Sequence, residues 1–483
     1  MGSRATTAWL LILAVLAVPV RAQERFRKSP PIPDPLPVLR MPPVESATLS
    51  NGLTVAVSQR KASALMSLQL VILAGEGDAP AASAGVAAVT ADMIGRGTDL
   101  LSAAQIEDRM EAIGGDFTTE TSIDQTVFTF NVLDENLDRA LEILGTIFLK
   151  ASFPEKALDA VKRTLYYSHL ERQKDPEILA KRQLYRLLFK DHPFNSAIYE
   201  EDAIKAVNRE AVAAYYDRYY RPNNAILVLA GNINLALAAR KVSHYFNTWI
   251  EKRVNRPFVP SPAPVDRGTI AFIHQPDARD MTIVLGNAIF PLASPDYFPF
   301  IVLNQILGGT TSSRLFMTLR ESKGYAYFAF SGIDFYKNCG IFSVRAKVTP
   351  ETLPDSIEEI LKLIGSPSLE KITSFEIEQA KSFLLGNFAL KNEPLPNFSR
   401  RILLLRVFNL GDDHWNKYYE SIIQVNLERV QAVARKYLQS KPAVVIVGDL
   451  DLVAGKLGGL LDKIEFYDAK GRLREDINKG VEK

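Results

Sequence analysis

Five histidines, His169, His192, His244, His274 and His414, are scattered through the chain, and no two stand close enough to form a local metal-binding pair. A hydrolytic zinc site needs imidazoles on one helix face and a carboxylate to take a proton from the metal-bound water. Arg320 and Tyr327 are candidates of another kind. A guanidinium and a phenol both donate hydrogen bonds to a peptide carbonyl, and hold it more tightly as negative charge develops on its oxygen. The run Gly308-Gly309-Thr310-Thr311-Ser312-Ser313 looks like a phosphate loop but lacks the Gly-Lys-Ser/Thr ending with its lysine. Cys339, the only cysteine, has no internal disulfide partner, and a lone thiol is usually buried and inert. His192-Pro193 reads as a structural loop feature.

Periodic elements must hold these residues. Tyr325–Ser331 alternates, so Tyr325, Tyr327, Ala329 and Ser331 share one strand face and Ala326, Phe328 and Phe330 the other. Phe328 and Phe330 are expected to pack inward and leave Tyr327 on the open face. The plainer alternative has Arg320 pairing with a carboxylate at a helix end and Tyr327 merely covering the sheet. Leu68–Leu73 and Met281–Leu285 read as apolar strands, and Gln125–Phe130 alternates as a half-buried strand does. Asn136–Leu149, Glu155–Arg172 and Pro176–Phe189 show helical periodicity, and Asn51-Gly52 is a hairpin signal. The halves resemble each other. A helix opening at Val207-Asn208-Arg209-Glu210 leads to Pro222 and a strand ending at Gly231, and one opening at Val425-Asn426-Leu427-Glu428 leads to Pro442 and a strand ending at Gly448. The helix starts lie 218 residues apart and the closing glycines 217 apart, which marks duplication of a large unit. The expected class is α+β: two tandem homologous domains, each a mostly antiparallel sheet covered on one face by helices.

With 483 residues, 47% apolar and 23% charged, the chain suits two or three globular domains. In residues 1–22, Arg4 precedes the apolar run Ala8–Val20 and small residues surround Val20-Arg21-Ala22, the layout of a secretory signal cut before Gln23. The run is shorter than the roughly 20 residues a bilayer span needs. A secreted or periplasmic protein with no stable membrane span after cleavage is expected, an uncleaved anchor being the alternative. That signal carries two of the 57 basic residues and none of the 55 acids, so the mature chain is neutral. No nucleic acid or anionic membrane is indicated as a partner. Seven prolines make 23–48 an extended arm, with order beginning at Leu49, and Arg256–Pro264 marks a linker within 251–268. The domains then fall at 49–250 and 269–470, with a polar tail at 471–483.

The run Gly85-Val86-Ala87-Ala88-Val89-Thr90-Ala91-Asp92, closed by Gly97-Thr98, resembles a segment of the pitrilysin/insulinase (M16) peptidases. There a glycine, an apolar residue and alanine precede His-x-x-Glu-His, and Gly-Thr follows. Ala88, Ala91 and Asp92 stand in the places of the first His, the Glu and the second His. The family's third zinc ligand is a glutamate on a later helix, shortly before an acidic-Pro step. Here that step is Asp175-Pro176 and Ser168 takes the position, with His169 next to it but turned about 100° around the helix. Ser313–Tyr327 is similar to the family segment whose arginine and tyrosine contact substrate near the scissile bond, and Arg320 and Tyr327 keep that spacing. By the same resemblance Gly308 and Gly309 lie in a loop near the substrate chamber. Gly114–Thr121 looks like the edge strand on which an extended substrate adds, although Thr118-Thr119 replaces the usual Asn-Ala and an ordinary edge strand is the plainer reading.

The resemblance runs from about Leu49 to Val453 and implies the two-domain M16 fold, also called the LuxS-like metallohydrolase fold. It implies the non-hydrolytic subunit of a peptidase pair. This chain would bind no zinc of its own, and the metal would sit in a partner homologue carrying His-x-x-Glu-His. Arg320 and Tyr327 would complete that site for unfolded peptide substrates. The alternatives are an inactive scaffold, a peptide-binding module without a catalytic partner, or a stand-alone zinc peptidase with unusual ligands.

Overall fold

The computed structural model describes residues 41–474 apart from 191, 198–200, 256–258, 260–261, 263–267, 269, 440 and 458–463. The expected signal segment, most of the arm, most of the linker and most of the polar tail lie outside the described residues.

Asn51-Gly52 makes the turn its sequence signals. Gly52 takes a φ of 86°, Asn51 Oδ1 accepts from the Leu53 amide at 3.2 Å, and β1 (Glu45–Thr48) pairs antiparallel with β2 (Thr54–Gln59). Order therefore begins before Leu49. The end of the arm is extended, but it is a sheet strand, and upstream of it Met41 is buried with its amide on Asn416 Oδ1 at 2.7 Å. The sheet is completed by β3 (Leu65–Ile72), β4 (Asp116–Thr121), β5 (Thr126–Leu133) and β6 (Ala225–Gly231), in the order β1-β2-β6-β3-β5-β4, with β2 and β6 parallel and the other pairs antiparallel. The second sheet has β7 (Ile270–His274), β8 (Met281–Ile289), β9 (Ala326–Phe335), β10 (Gly340–Val348), β11 (Ala443–Gly448) and β12 (Ile464–Tyr467). Its order, β12-β7-β11-β8-β10-β9, matches the first strand for strand, except that its outermost strand comes from the far end of the half and runs parallel to β7.

The helices repeat too. The first half has α1 (Val86–Met93), α2 (Ala103–Glu111), α3 (Leu137–Leu149), α4 (Glu155–Arg172), α5 (Pro176–Leu188), α6 (Arg209–Tyr219) and α7 (Leu235–Phe246). The second has α8 (Tyr297–Gly308), α9 (Leu353–Ile364), α10 (Ser374–Lys391), α11 (Leu395–Val407) and α12 (Leu427–Leu438). Asn208 and Asn426 cap α6 and α12 alike, each Oδ1 accepting an amide at 2.9 Å, a contact worth about 1 kcal/mol. Asp175 caps α5, and Pro176 takes its first turn, where a missing amide costs nothing.

One face of the first sheet packs as expected, with Leu68, Leu70, Phe128, Phe130, Leu227 and Leu229 in one core with α1, α3, α6 and α7. The other face corrects the one-sided picture. β6 and β11 are buried along their whole length, so both of their faces need cover. That cover is exchanged between the halves. α11, from the second half, lies across β3 and β6, placing Phe398 and Ile402 in a core with Val71, Val228 and Ala230. α5, from the first half, lies across β8 and β11, placing Leu184 and Leu188 with Ile273, Val284 and Val445. Tyr185 donates to Asp334 Oδ2 at 2.7 Å and Arg400 Nη1 donates to Glu120 Oε2 at 2.7 Å across the same boundary. The described residues form one compact unit. Among the described residues no helix is long and apolar enough to cross a membrane.

Candidate functional site

Three contacts fix the start of α1. Tyr215 donates its hydroxyl to Gly75 O at 2.9 Å, Tyr219 donates to Asp78 O at 3.1 Å, and Glu76 Oε1 accepts the Ala88 amide at 2.8 Å. Burial pushes the Tyr215 hydroxyl well above its usual range, so it stays protonated as a donor. Sequence reasoning missed these tyrosines, although their four-residue spacing on α6 was a visible signal. Along α1, Ala91 is fully buried, Ala88 is half-buried, and Asp92 is the one side chain of the three with a donor atom for a metal. Burial raises the Asp92 carboxyl above the usual carboxylate range, against the pull of Arg96.

Asp92 borders a cavity of about 750 Å³ whose α4 wall is Lys156, Ala157, Ala160, Val161 and Thr164. Ser168 does not line it and is exposed a turn further along α4. His169 turns to α5, its Nε2 3.2 Å from Arg182 Nη1. Among the described residues no three His, Cys, Asp or Glu side chains are grouped as a metal would require. The residues at this position do not fit zinc: one carboxylate, two alanines and a distant serine leave too few donors. His192 is buried against Phe189 and Phe194, with Nδ1 accepting the Phe194 amide at 3.1 Å. Burial pushes the Cys339 thiol up to about 12, so it stays an unreactive thiol.

In the second half, Met317–Ser322 forms a π-helical turn that hands the chain to β9 through a bond from the Tyr325 amide to Leu319 O at 2.7 Å. Arg320 stands on that turn, half-exposed, 5.0 Å above the Phe316 ring, with Nη1 on Glu321 Oε1 at 2.8 Å. The ion pair of the plainer reading is thus present, but an exposed pair of this kind contributes 1 kcal/mol or less (about) and leaves the guanidinium free to exchange partners. Tyr327 is 57% exposed, with Lys347 Nζ 5.7 Å from its ring. It is open for a reason alternation did not supply. The β9–β10 register slips so that Phe328 faces Lys347 while Ala326 faces Val348, which makes Tyr327 the extra residue of a bulge. Ala326 and Ala329 are therefore the buried residues, and the expectation that Phe328 and Phe330 pack inward is wrong. The two rings stack half-exposed at 6.2 Å, Phe330 also meeting Phe316 at 5.3 Å.

Packing accounts for Gly308 and Gly309. A Cβ on Gly308 would lie 2.3 Å from the Ser331 amide, and one on Gly309 2.4 Å from Gln305 Oε1. Their neighbours Thr310, Ser312 and Ser313 border a cavity of about 380 Å³. In it lies a pair the sequence did not reveal. Arg314 Nε and Nη2 donate to Glu376 Oε1 and Oε2 at 2.5 and 2.9 Å, Nη1 donates to Ser368 O, and Nη2 also donates to Lys371 O. β4 is the outermost strand of its sheet, as the edge reading expected, paired with β5 alone.

Residues 54–202 match the family model for Insulinase (Peptidase family M16), and residues 206–384 match the model for the Peptidase M16 inactive domain. The chain belongs to the M16 peptidase family. This M16 protein is 24% identical to the uncharacterized zinc protease YmxG of Bacillus subtilis over 409 residues, covering 84% of this chain and 98% of the relative. It is likewise 24% identical to the uncharacterized zinc protease ML0855 of Mycobacterium leprae, covering 83% of this chain and 91% of the relative. Two crystal structures share its fold: a peptidase M16 inactive domain from Pseudomonas fluorescens, with a TM-score of 0.78 at 21% identity covering 84% of this chain and 98% of that one, and a protease from Helicobacter pylori, with a TM-score of 0.78 at 20% identity covering 84% and 100%.

Proposed function

We propose that this M16 protein is the non-hydrolytic subunit of an exported zinc peptidase pair, lending Arg320 and Tyr327 to a zinc site held by its partner. One contrast carries the reading. The segment that would hold zinc has kept its frame and lost its side-chain donors at Ala88, Ala91 and Ser168, while in the second half two hydrogen-bond donors are exposed, Arg320 on the π-helical turn and Tyr327 on the strand that follows. The partner would be an M16 homologue with His-x-x-Glu-His, the substrates unfolded peptides, and the location periplasmic or secreted by way of the N-terminal signal. Relatives named zinc proteases support the peptidase setting.

In that assembly the Arg320 guanidinium and the Tyr327 hydroxyl donate to the carbonyl oxygen of the bond to be cut. Removing one such donor typically slows turnover about 10²–10³-fold. The test is cleavage of a quenched unfolded peptide by a mixture of this chain and a co-expressed His-x-x-Glu-His homologue. Arg320→Ala and Tyr327→Phe are expected to lower kcat by that order while leaving complex formation unchanged and costing about 1 kcal/mol of stability or less. Full activity in both variants would defeat the proposal and favour a scaffold.

A further inference from the structure

The duplicated fold places a cavity at the same position in each half, and the two are filled differently. In the second half it lies between α8, the loop that follows and α10, and in the first between α1, the loop that follows and α4. Ser313 and Ser102 are the cap residues of the next helical segment, so Arg314 and Ala103 are both its first residue. α10 and α4 begin at Ser374 and Glu155, so Glu376 and Ala157 are both third in their helices. The second half thus closes its cavity with an arginine on a carboxylate, at 2.5 and 2.9 Å. The first half has alanine at both positions, and its cavity is about 750 Å³ against about 380 Å³.

What remains in the first cavity is a mostly apolar pocket with charged side chains of both signs in its wall. Leu101, Pro154 and Val161 line it together with the two alanines, and Asp92 borders it with the Arg96 charge acting on its carboxyl, so a guest guanidinium would compete with Arg96 for it. Arg96, Asp99 and Lys156 also border it, so its charges balance and a guest cation must be recognised by direct contact rather than by long-range attraction. Asp92 borders a second space as well, about 460 Å³, which reaches Asp116, Phe117 and Thr119 on the edge strand β4.

We propose that the first-half cavity receives an arginine side chain of a bound peptide, the alkyl stem lying against Ala103, Ala157 and Val161 and the guanidinium binding Asp92. The guest would enter the counterpart of the cavity that Arg314 fills from within in the second half, but its guanidinium would turn to Asp92 on α1, because the counterpart of Glu376 is Ala157. The alanines that emptied the cavity and the lost zinc donors beside it would then be parts of one change, from a metal site to a side-chain receptor. This rests on the reading of the chain as a peptide-binding subunit.

The experiment uses the chain from Gln23 alone, with no partner, and fluorescence anisotropy of three dye-labelled peptides. Two are acetylated and amidated alanine-rich peptides differing only in a central arginine or its neutral isostere citrulline. The third has no arginine but a free N-terminal amine. A partly desolvated charged hydrogen bond is worth about 1.5–3 kcal/mol, so the arginine peptide is expected to bind about tenfold or more tighter than the citrulline peptide. Asp92→Asn is expected to bring that ratio to about 1 while leaving citrulline binding in place. The double variant Ala103→Arg, Ala157→Glu, which transplants the second half's ion pair, is expected to abolish the preference by filling the cavity. Equal affinities in the wild type, a preference that survives Asp92→Asn, or no saturable binding of the arginine peptide would each overturn the proposal. Asp92-dependent binding of the free amine peptide at equal strength would overturn the side-chain assignment in favour of a terminus. Arg320→Ala should not alter the ratio, so failure of partner-dependent cleavage with the ratio intact would overturn the paired-subunit reading and not this one.

Discussion

Leu184 lies on α5, which belongs to the first half in sequence but covers the second half's sheet, and it is fully buried there. Leu184→Ala should therefore destabilise the half to which the residue does not belong in sequence. Truncating a buried leucine costs about 2–5 kcal/mol, and the upper part of that range applies where the site cannot collapse. Gly286 in β8 restricts collapse here: a Cβ at that position would already meet Phe342 O at 2.2 Å and Leu184 Cδ2 at 3.3 Å. The chain provides its own reporters. In a chain that begins at Gln23 and so lacks Trp9, Trp249 (4% exposed) reads the first half and Trp415 (2% exposed) reads the second. Single-tryptophan variants made by Trp249→Phe and Trp415→Phe would be unfolded in urea with and without Leu184→Ala. Because each sheet borrows a helix from the other half, both reporters are expected to follow one coincident transition, which Leu184→Ala moves equally for both. The reciprocal change Ile402→Ala on α11 is expected to act the same way. Two separated transitions, with Leu184→Ala moving only that of Trp249, would refute the reciprocal packing.

Two further outcomes follow from single contacts. Burial beside Phe298 and Trp415 holds His414 down to about 4, below its ordinary 6.5. The unfolded chain therefore takes up the proton first as pH falls, and stability should drain away between pH 6.5 and 4, by about 2 kcal/mol once partial solvent exposure is allowed for. His414→Phe should flatten that slope in urea titrations at stepped pH. Arg314→Ala leaves Glu376 without its ion-pair partner inside the second cavity and should cost about 2–3 kcal/mol, against about 1 kcal/mol or less for Arg320→Ala, whose pair is exposed. Thermal melts of the two variants in parallel check that ordering.

Much of the fold was legible because it is locally encoded. Glu155–Arg172 is a helix with those bounds, and Asn208 and Asn426 open equivalent helices with the same cap. Asn51-Gly52 forms its hairpin turn. What failed was non-local. The burial of β6 and β11 on both faces was visible as unbroken apolar runs, but which helix covers the second face depends on the exchange of α5 and α11, which no periodicity records. The side-chain directions of Phe328 and Phe330 were misread because strict alternation assumes no bulge, and the bulge is set by pairing with Lys347 and Val348 in another strand. At the first-half site, Ala88 and Ala91 were readable as lost donors, but the exposure of Ser168 away from Asp92 was not. The Arg314–Glu376 pair joins residues 62 apart, beyond the reach of spacing arguments.

Whether hydrolysis in the proposed pair needs another chain's metal is decided by zinc content and peptide cleavage for residues 23–483 purified alone, then after addition of a co-expressed His-x-x-Glu-His homologue. The lone chain is expected to hold no stoichiometric zinc and to cleave no peptide, with activity appearing on mixing at a fixed ratio of the two chains. One zinc per chain together with hydrolysis by the lone protein would contradict it.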